Sequence, residues 1–196
     1  MKIAQVVPSL EARHGGPSRS VRALAGALAG THDVELLATE PKTNSIETEG
    51  RLTVRRFPRQ WPEDFSVSGP LRRHLLAGRH DIIHHHSLWL RSLHYAAAAA
   101  RKQGAPLVIS PRGMMTPWAW AHHRWKKNLA RHLIHPGAFE LAAGWHVHLR
   151  PVRQVDDIRR LGFPANPYAW RRTAWKCRLP KPWKPREAIG RNVARR

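Results

Sequence analysis

The chain has 196 residues, room for one sizeable domain with an appendage, and its 42% hydrophobic content supports an ordinary core. Its formal charge of +21 favours polyanionic partners, whether a phosphorylated substrate, an anionic lipid surface or nucleic acid. No apolar run is long enough to span a membrane, the opening M-K-I-A-Q-V-V-P is too short and too soon broken for a signal peptide, and the lone Cys177 cannot form an internal disulfide. A cytoplasmic protein is therefore expected.

In chain order, residues 2–7 read as a buried strand, and residues 18–30 as a helix with Val21, Leu24, Ala25 and Leu28 on one face. Strands follow at 34–38 and 52–57. Residues 59–69 have turn chemistry, and 70–76 form a helix. A short strand covers 81–84, a helix 88–103, a strand 106–110 and a helix 118–135. Residues 138–143 read as helical and 145–148 as a last strand. Short buried runs alternating with helices predict an α/β fold: a Rossmann-like parallel sheet with helices on both faces. After about residue 149 the periodicity weakens and Pro, Arg and Trp dominate, apart from a helix ending at Leu161-Gly162-Phe163. The expected division is a domain over 1–163 and an irregular tail over 164–196, which holds ten Lys/Arg and one Glu.

Ligands of such sheets bind outside the carboxyl ends of the strands. Three motifs fall there: Gly15-Gly16, His84-His85-His86-Ser87-Leu88-Trp89 and Ser110-Pro111-Arg112-Gly113. A glycine pair between strand and helix lets backbone N–H groups approach a ligand, and the helix start favours negative charge, which suits a phosphate. The spacing is not G-x-G-x-x-G, so no nicotinamide site is read. His84 and His86 share one face of a continued strand and His85 the other. No Cys or acidic residue is spaced to complete a metal site with them, so no metal is expected. His84 suits the core and His86 the cleft. Arg112, just after a strand, either contacts an anion or only caps surface charge.

These segments resemble the N-terminal domain of the family 4 retaining glycosyltransferases, which have the GT-B fold. The similarity runs through Val6 to Leu10 and His14 to Val21, through Asp81 to Trp89, and through Ser110 to Trp118 and Arg124 to Lys127. It covers roughly residues 1–147 and returns at Asp156 to Phe163. The resemblance implies a nucleotide-sugar donor as substrate, no separate cofactor, and a growing cell-surface polysaccharide or lipid-linked glycan as acceptor. It implies His86 near the transferred sugar as the catalytic residue. Gly15, Gly16, Ser18, Trp89 and Arg112 would then be substrate-binding residues. It also implies a second, donor-binding domain, so the chain is expected to be truncated or frameshifted and inactive alone.

The helix over 118–135 puts Trp118, Ala121, Trp125, Leu129 and Leu133 on one stripe. It either packs on the sheet or rests on an anionic membrane surface beside a lipid-linked acceptor. Two readings fit the tail. Residues 168–178 can be encoded so that a shifted frame spells C-V-A-P-N-G-V-E-V-P, the strand and turn that family members have at this point. Alternatively, Trp170, Trp175 and Trp183 among Arg and Lys would make a nucleic-acid-binding module that stacks bases and follows phosphates.

Overall fold

The computed structural model describes residues 1–11, 16–112, 114, 138–139 and 141–145. They form β1 (Lys2–Val7), α1 (Gly16–Ala29), β2 (Asp33–Glu40), β3 (Ser45–Glu49), β4 (Leu52–Pro58), α2 (Gly69–Ala77), β5 (Ile82–His86), α3 (Arg91–Gln103), β6 (Leu107–Ser110) and β7 (Ala142–Trp145). A 3₁₀ turn, Glu63–Phe65, lies before α2. The strands make one sheet in the order β3-β4-β2-β1-β5-β6-β7. Every neighbouring pair is parallel except β3 with β4. This is the expected Rossmann-like α/β layer with one antiparallel edge strand added.

The apolar runs form strands because the sheet is covered on both faces. On one face Val21 and Ala25 of α1 pack with Val7, Val34, Leu36, Ala38, Leu52 and Val54. On the other, Leu71 and Leu75 of α2 and Leu93, Ala96 and Ala100 of α3 pack with Ala4, Val6, Leu37, Ile83, Leu107 and Ile109. The Ser68 hydroxyl caps α2 by accepting from the Leu71 N–H at 3.3 Å. Gly104, at φ +64, ends α3 in the left-handed conformation that glycine adopts most easily.

One strand is added to the expected elements and two expectations are corrected. The edge strand β3 has no sequence signature, because Ile46 is its single apolar residue and is itself exposed. It is held by pairing with β4 across the turn at Gly50. The described residues of the expected helix over 138–143 are not helical. Ala138 and Phe139 lie in a turn, buried in the α3-side core, and residues 142–145 form β7 against β6, earlier than the expected strand at 145–148. Pairing with an open sheet edge outweighs the modest helix propensity of a few alanines. Finally, α3 begins at Arg91 rather than 88, because Ser87 (φ 142) and Trp89 (φ 64) take conformations no helix contains. The readings at Gly15, over 118–135 and over the whole tail lie outside the described residues.

Candidate functional site

From β1 the chain turns towards β2, while β5 lies on the other flank of β1, so the strand order reverses between β1 and β5. A crevice opens above such a switch point at the carboxyl ends of the strands. Here it is a cavity of about 290 Å³ lined by Ser9, Pro17, Arg59, Asp64, His86 and Arg112, among others.

The floor of the cavity is a strip of buried polar side chains. His86, 1% exposed, ends β5. Arg112 Nη2 lies 3.0 Å from its Nδ1, and Gln5 Oε1 lies 2.6 Å from its Nε2. A guanidinium only donates, so Nδ1 accepts, the ring proton sits on Nε2, and Nε2–H donates to Gln5. The tautomer is thus set by two neighbours from β1 and the loop after β6. Arg112 Nη1 also donates to Ser20 Oγ in the first turns of α1, at 3.1 Å. One chain of hydrogen bonds therefore joins β1, β5, α1 and the S-P-R corner. Arg112 is half-buried. Burial pulls its guanidinium below the usual arginine range, and its Nε has no partner among the described residues.

The other two imidazoles are struts. The His84 ring lies 4.0 Å from that of His86, and its Nε2 is 2.8 Å from Ser110 Oγ, which ties β5 to β6. His85 points to the opposite face. Its Nδ1 is 3.1 Å from the Ser87 carbonyl and so donates to it, while its Nε2 is 3.0 Å from Ser92 Oγ in α3. The alternation expected from the sequence is present. Among the described residues no three His, Cys, Asp or Glu side chains are arranged to hold a metal ion.

The rims are held as firmly. Glu40 at the end of β2 accepts from Ser9 Oγ at 2.8 and 3.0 Å and from the Leu10 N–H at 2.6 Å, which pins the start of the β1–α1 loop. Arg59 donates to the carbonyls of Pro8 and Thr39 at 2.9 and 3.0 Å, gathering the ends of β1, β2 and β4. Among the described residues, five other than glycine have positive φ: Lys42, Ser66, Ser87, Trp89 and Arg112. Ser66, Ser87 and Arg112 line the cavity, and Trp89 follows Ser87 closely. Each such conformation costs about 1–3 kcal/mol, and strain of this kind clusters at functional sites.

Of the residues singled out in the sequence, His86 and Arg112 meet in the cavity. Gly16 opens α1, is exposed, and a Cβ added there would meet nothing within 4 Å. Ser18 is buried at 4% and Trp89 packs on Phe139 with ring centroids 5.9 Å apart; neither lines the cavity. The sequence reading missed Gln5, Ser20, Arg59 and Asp64. Gln5 had a signal, being the single polar residue inside the apolar run of β1.

The family model for the glycosyl transferase 4-like domain matches residues 15–171. The chain belongs to this family. The resemblance drawn from the glycine turn, the H-x-H strand and the S-P-R-G corner is thus correct at the level of family. A solved structure concerned with glycosyl transfer with retention, through bisubstrate glycomimetics of trehalose-6-phosphate synthase, is similar at 15% identity and a TM-score of 0.47. The similarity covers 82% of this chain and 43% of that one, so this glycosyl transferase 4-like chain spans less than half of that protein. No curated protein matches the sequence.

Proposed function

We propose that the cavity is the reaction end of a retaining sugar transfer from a nucleotide-sugar to a cell-surface polysaccharide or lipid-linked glycan. In this reading Arg112 and the N-terminal turn of α1 hold the donor diphosphate. Both present N–H donors and positive charge at one place, and desolvation strengthens the pairing. Both nitrogens of His86 are engaged by the protein, so its part is to position Arg112 and to shape the floor beneath the sugar. The observation behind the proposal is the Ser20–Arg112–His86–Gln5 chain, which makes one cation the meeting point of the family's three motifs. Positioning of both substrates is a large share of rate acceleration. Transfer is therefore assigned to this domain together with a donor-binding domain, and these 196 residues alone are expected to bind without turnover.

Calorimetry with inorganic pyrophosphate tests the assignment. Binding should survive 0.3 M salt, which screens loose attraction to a basic surface, and Arg112→Met should weaken it at least tenfold. Equal affinity of the variant and the parent would place the anion elsewhere. Product formation by the chain alone, with a panel of nucleotide-sugars, would overturn the claim that it does not turn over.

A further inference from the structure

Trp61 is 89% exposed and Phe65 46% exposed, the two largest apolar side chains open to solvent among the described residues. Both belong to the loop over 59–68, the same loop that supplies Arg59, Asp64 and Ser66 to the cavity. The loop is braced at its neck. Gln60 and Val67 pair as a bridge, the Gln60 N–H donates to the Val67 carbonyl at 2.8 Å, and the Gly69 N–H donates to Gln60 Oε1 at 2.7 Å. Within it the Ser66 N–H donates to the Glu63 carbonyl at 2.9 Å. A large ring is thus held out into water by a pinned backbone, at the border of a cavity. Exposing such a ring is unfavourable, and a pre-ordered aromatic loses little entropy when it is covered.

The charge beside it separates the possible occupants. Glu63 and Asp64 lie between the two aromatic residues in the chain, an acidic spot on a chain of net charge +21. Neither carboxylate pairs with a cation among the described residues. The two carboxylates disfavour a lipid phosphate or a nucleic-acid backbone at the loop tip itself, while Arg59 stands at the start of the loop on the cavity side. A neutral sugar fits both features: one face of a pyranose is a plane of C–H groups that stacks on an indole, and its rim of hydroxyls donates to carboxylates. We infer that the loop over 59–68 is the recognition lip for an uncharged glycan acceptor, with Trp61 as the stacking platform and Asp64 as the carboxylate that takes a sugar hydroxyl at the cavity mouth. This inference rests on the sugar-transfer reading above and names its acceptor side.

The test uses the full chain labelled with 5-fluorotryptophan, with the Trp61 resonance assigned by its loss in Trp61→Phe. Maltohexaose, cellohexaose and β-1,4-mannohexaose are titrated separately, and phosphatidylglycerol vesicles serve as the contrasting probe. At least one hexaose should shift the Trp61 signal saturably. By calorimetry Trp61→Ala should weaken that sugar at least tenfold, Asp64→Asn at least threefold, and Trp61→Phe less than threefold. Silence with all three sugars, equal sugar affinity in Trp61→Ala, or a response to vesicles alone would overturn the inference, as would a shift that follows protein concentration and marks a second copy. Pyrophosphate binding should be unchanged in Trp61→Ala. Its persistence beside a silent Trp61 would sink this inference only, and its absence beside a responsive Trp61 would sink the diphosphate reading only.

Discussion

Gln5→Leu isolates the hydrogen-bond chain beneath the cavity. Gln5 is 1% exposed and His86 equally so, so water cannot replace the lost acceptor without entering the core. Two outcomes remain for the imidazole. If the proton stays on Nε2, a buried donor is left unmet. If it moves to Nδ1, it faces the Arg112 Nη2 donor that now lies 3.0 Å away. Either way the cost is that of one unsatisfied buried polar group, about 1–3 kcal/mol. With a urea slope of about 2 kcal/mol/M this lowers the unfolding midpoint by about 0.5–1.5 M. The double variant Gln5→Leu/His86→Phe removes donor and acceptor together, so most of the lost stability should return. Pyrophosphate affinity should not return with it, because Arg112 is then held by Ser20 alone. Nitrogen-detected NMR of the imidazole reads the tautomer directly. A Gln5→Leu midpoint within about 0.2 M of the parent, or a parent proton found on Nδ1, would refute the account.

Three further outcomes follow from other contacts. Gly16→Ala should leave stability unchanged or raised by up to about 1 kcal/mol, since the added methyl meets nothing in the protein, yet weaken pyrophosphate if the backbone must approach the ligand; unaltered affinity would count against that approach. Glu35 accepts from Lys2, His74 and His80, each at 3.0 Å; burial would raise its pKa, but these bonds outweigh it and hold the carboxyl well below the usual range. Its stabilisation is therefore present above the ordinary carboxylate value and is lost as pH falls below it, so Glu35→Gln should cost about 1–3 kcal/mol at pH 7 and flatten the acid limb of a stability–pH curve. Gly78→Ala would bring a methyl to 2.4 Å from His80 Cε1, on a ring that is buried and tied to Glu35, so thermal melts should show a loss of about 1–3 kcal/mol although the backbone there suits alanine.

Much of the fold was legible because β1, β2 and β6 are short, mainly apolar runs, β5 opens on Ile82 and Ile83, and α1 and α3 keep a helical period. β3 was not, since its stability comes from its partner and not from its own residues. The site divides in the same way. His86 and Arg112 stood out because they close strands in motifs that repeat a family pattern. Ser20 was invisible because its role depends on Arg112, 92 residues later in the chain. Gln5 depends likewise on His86, 81 residues away. Contacts of that span are products of strand order, which local patterns do not encode. Ser18 and Trp89 shared motifs with true lining residues, but the turn of α1 buries one and the left-handed bend after β5 turns the other onto Phe139.

A strand in the middle of a parallel sheet is covered on both faces and should read as continuous Ile, Leu and Val. β1, β2 and β4 largely obey this and feed both cores. β5 and β6 feed only the α3-side core, through Ile83, Leu107 and Ile109. On their other face stand His84, His86 and Ser110, joined by Gln5 from β1. Replacing apolar contacts with buried polar groups yields little net stability even when every bond is made, and the left-handed Ser87 and Arg112 add strain. The apolar face against α3 is what offsets this. A fold selected for stability alone would have filled the α1-side face of β5 with branched aliphatics. That it holds a tautomer-locked imidazole beneath an arginine, at the point where the strand order reverses, is a local departure from packing for stability, and it is the departure that the proposed sugar transfer would require.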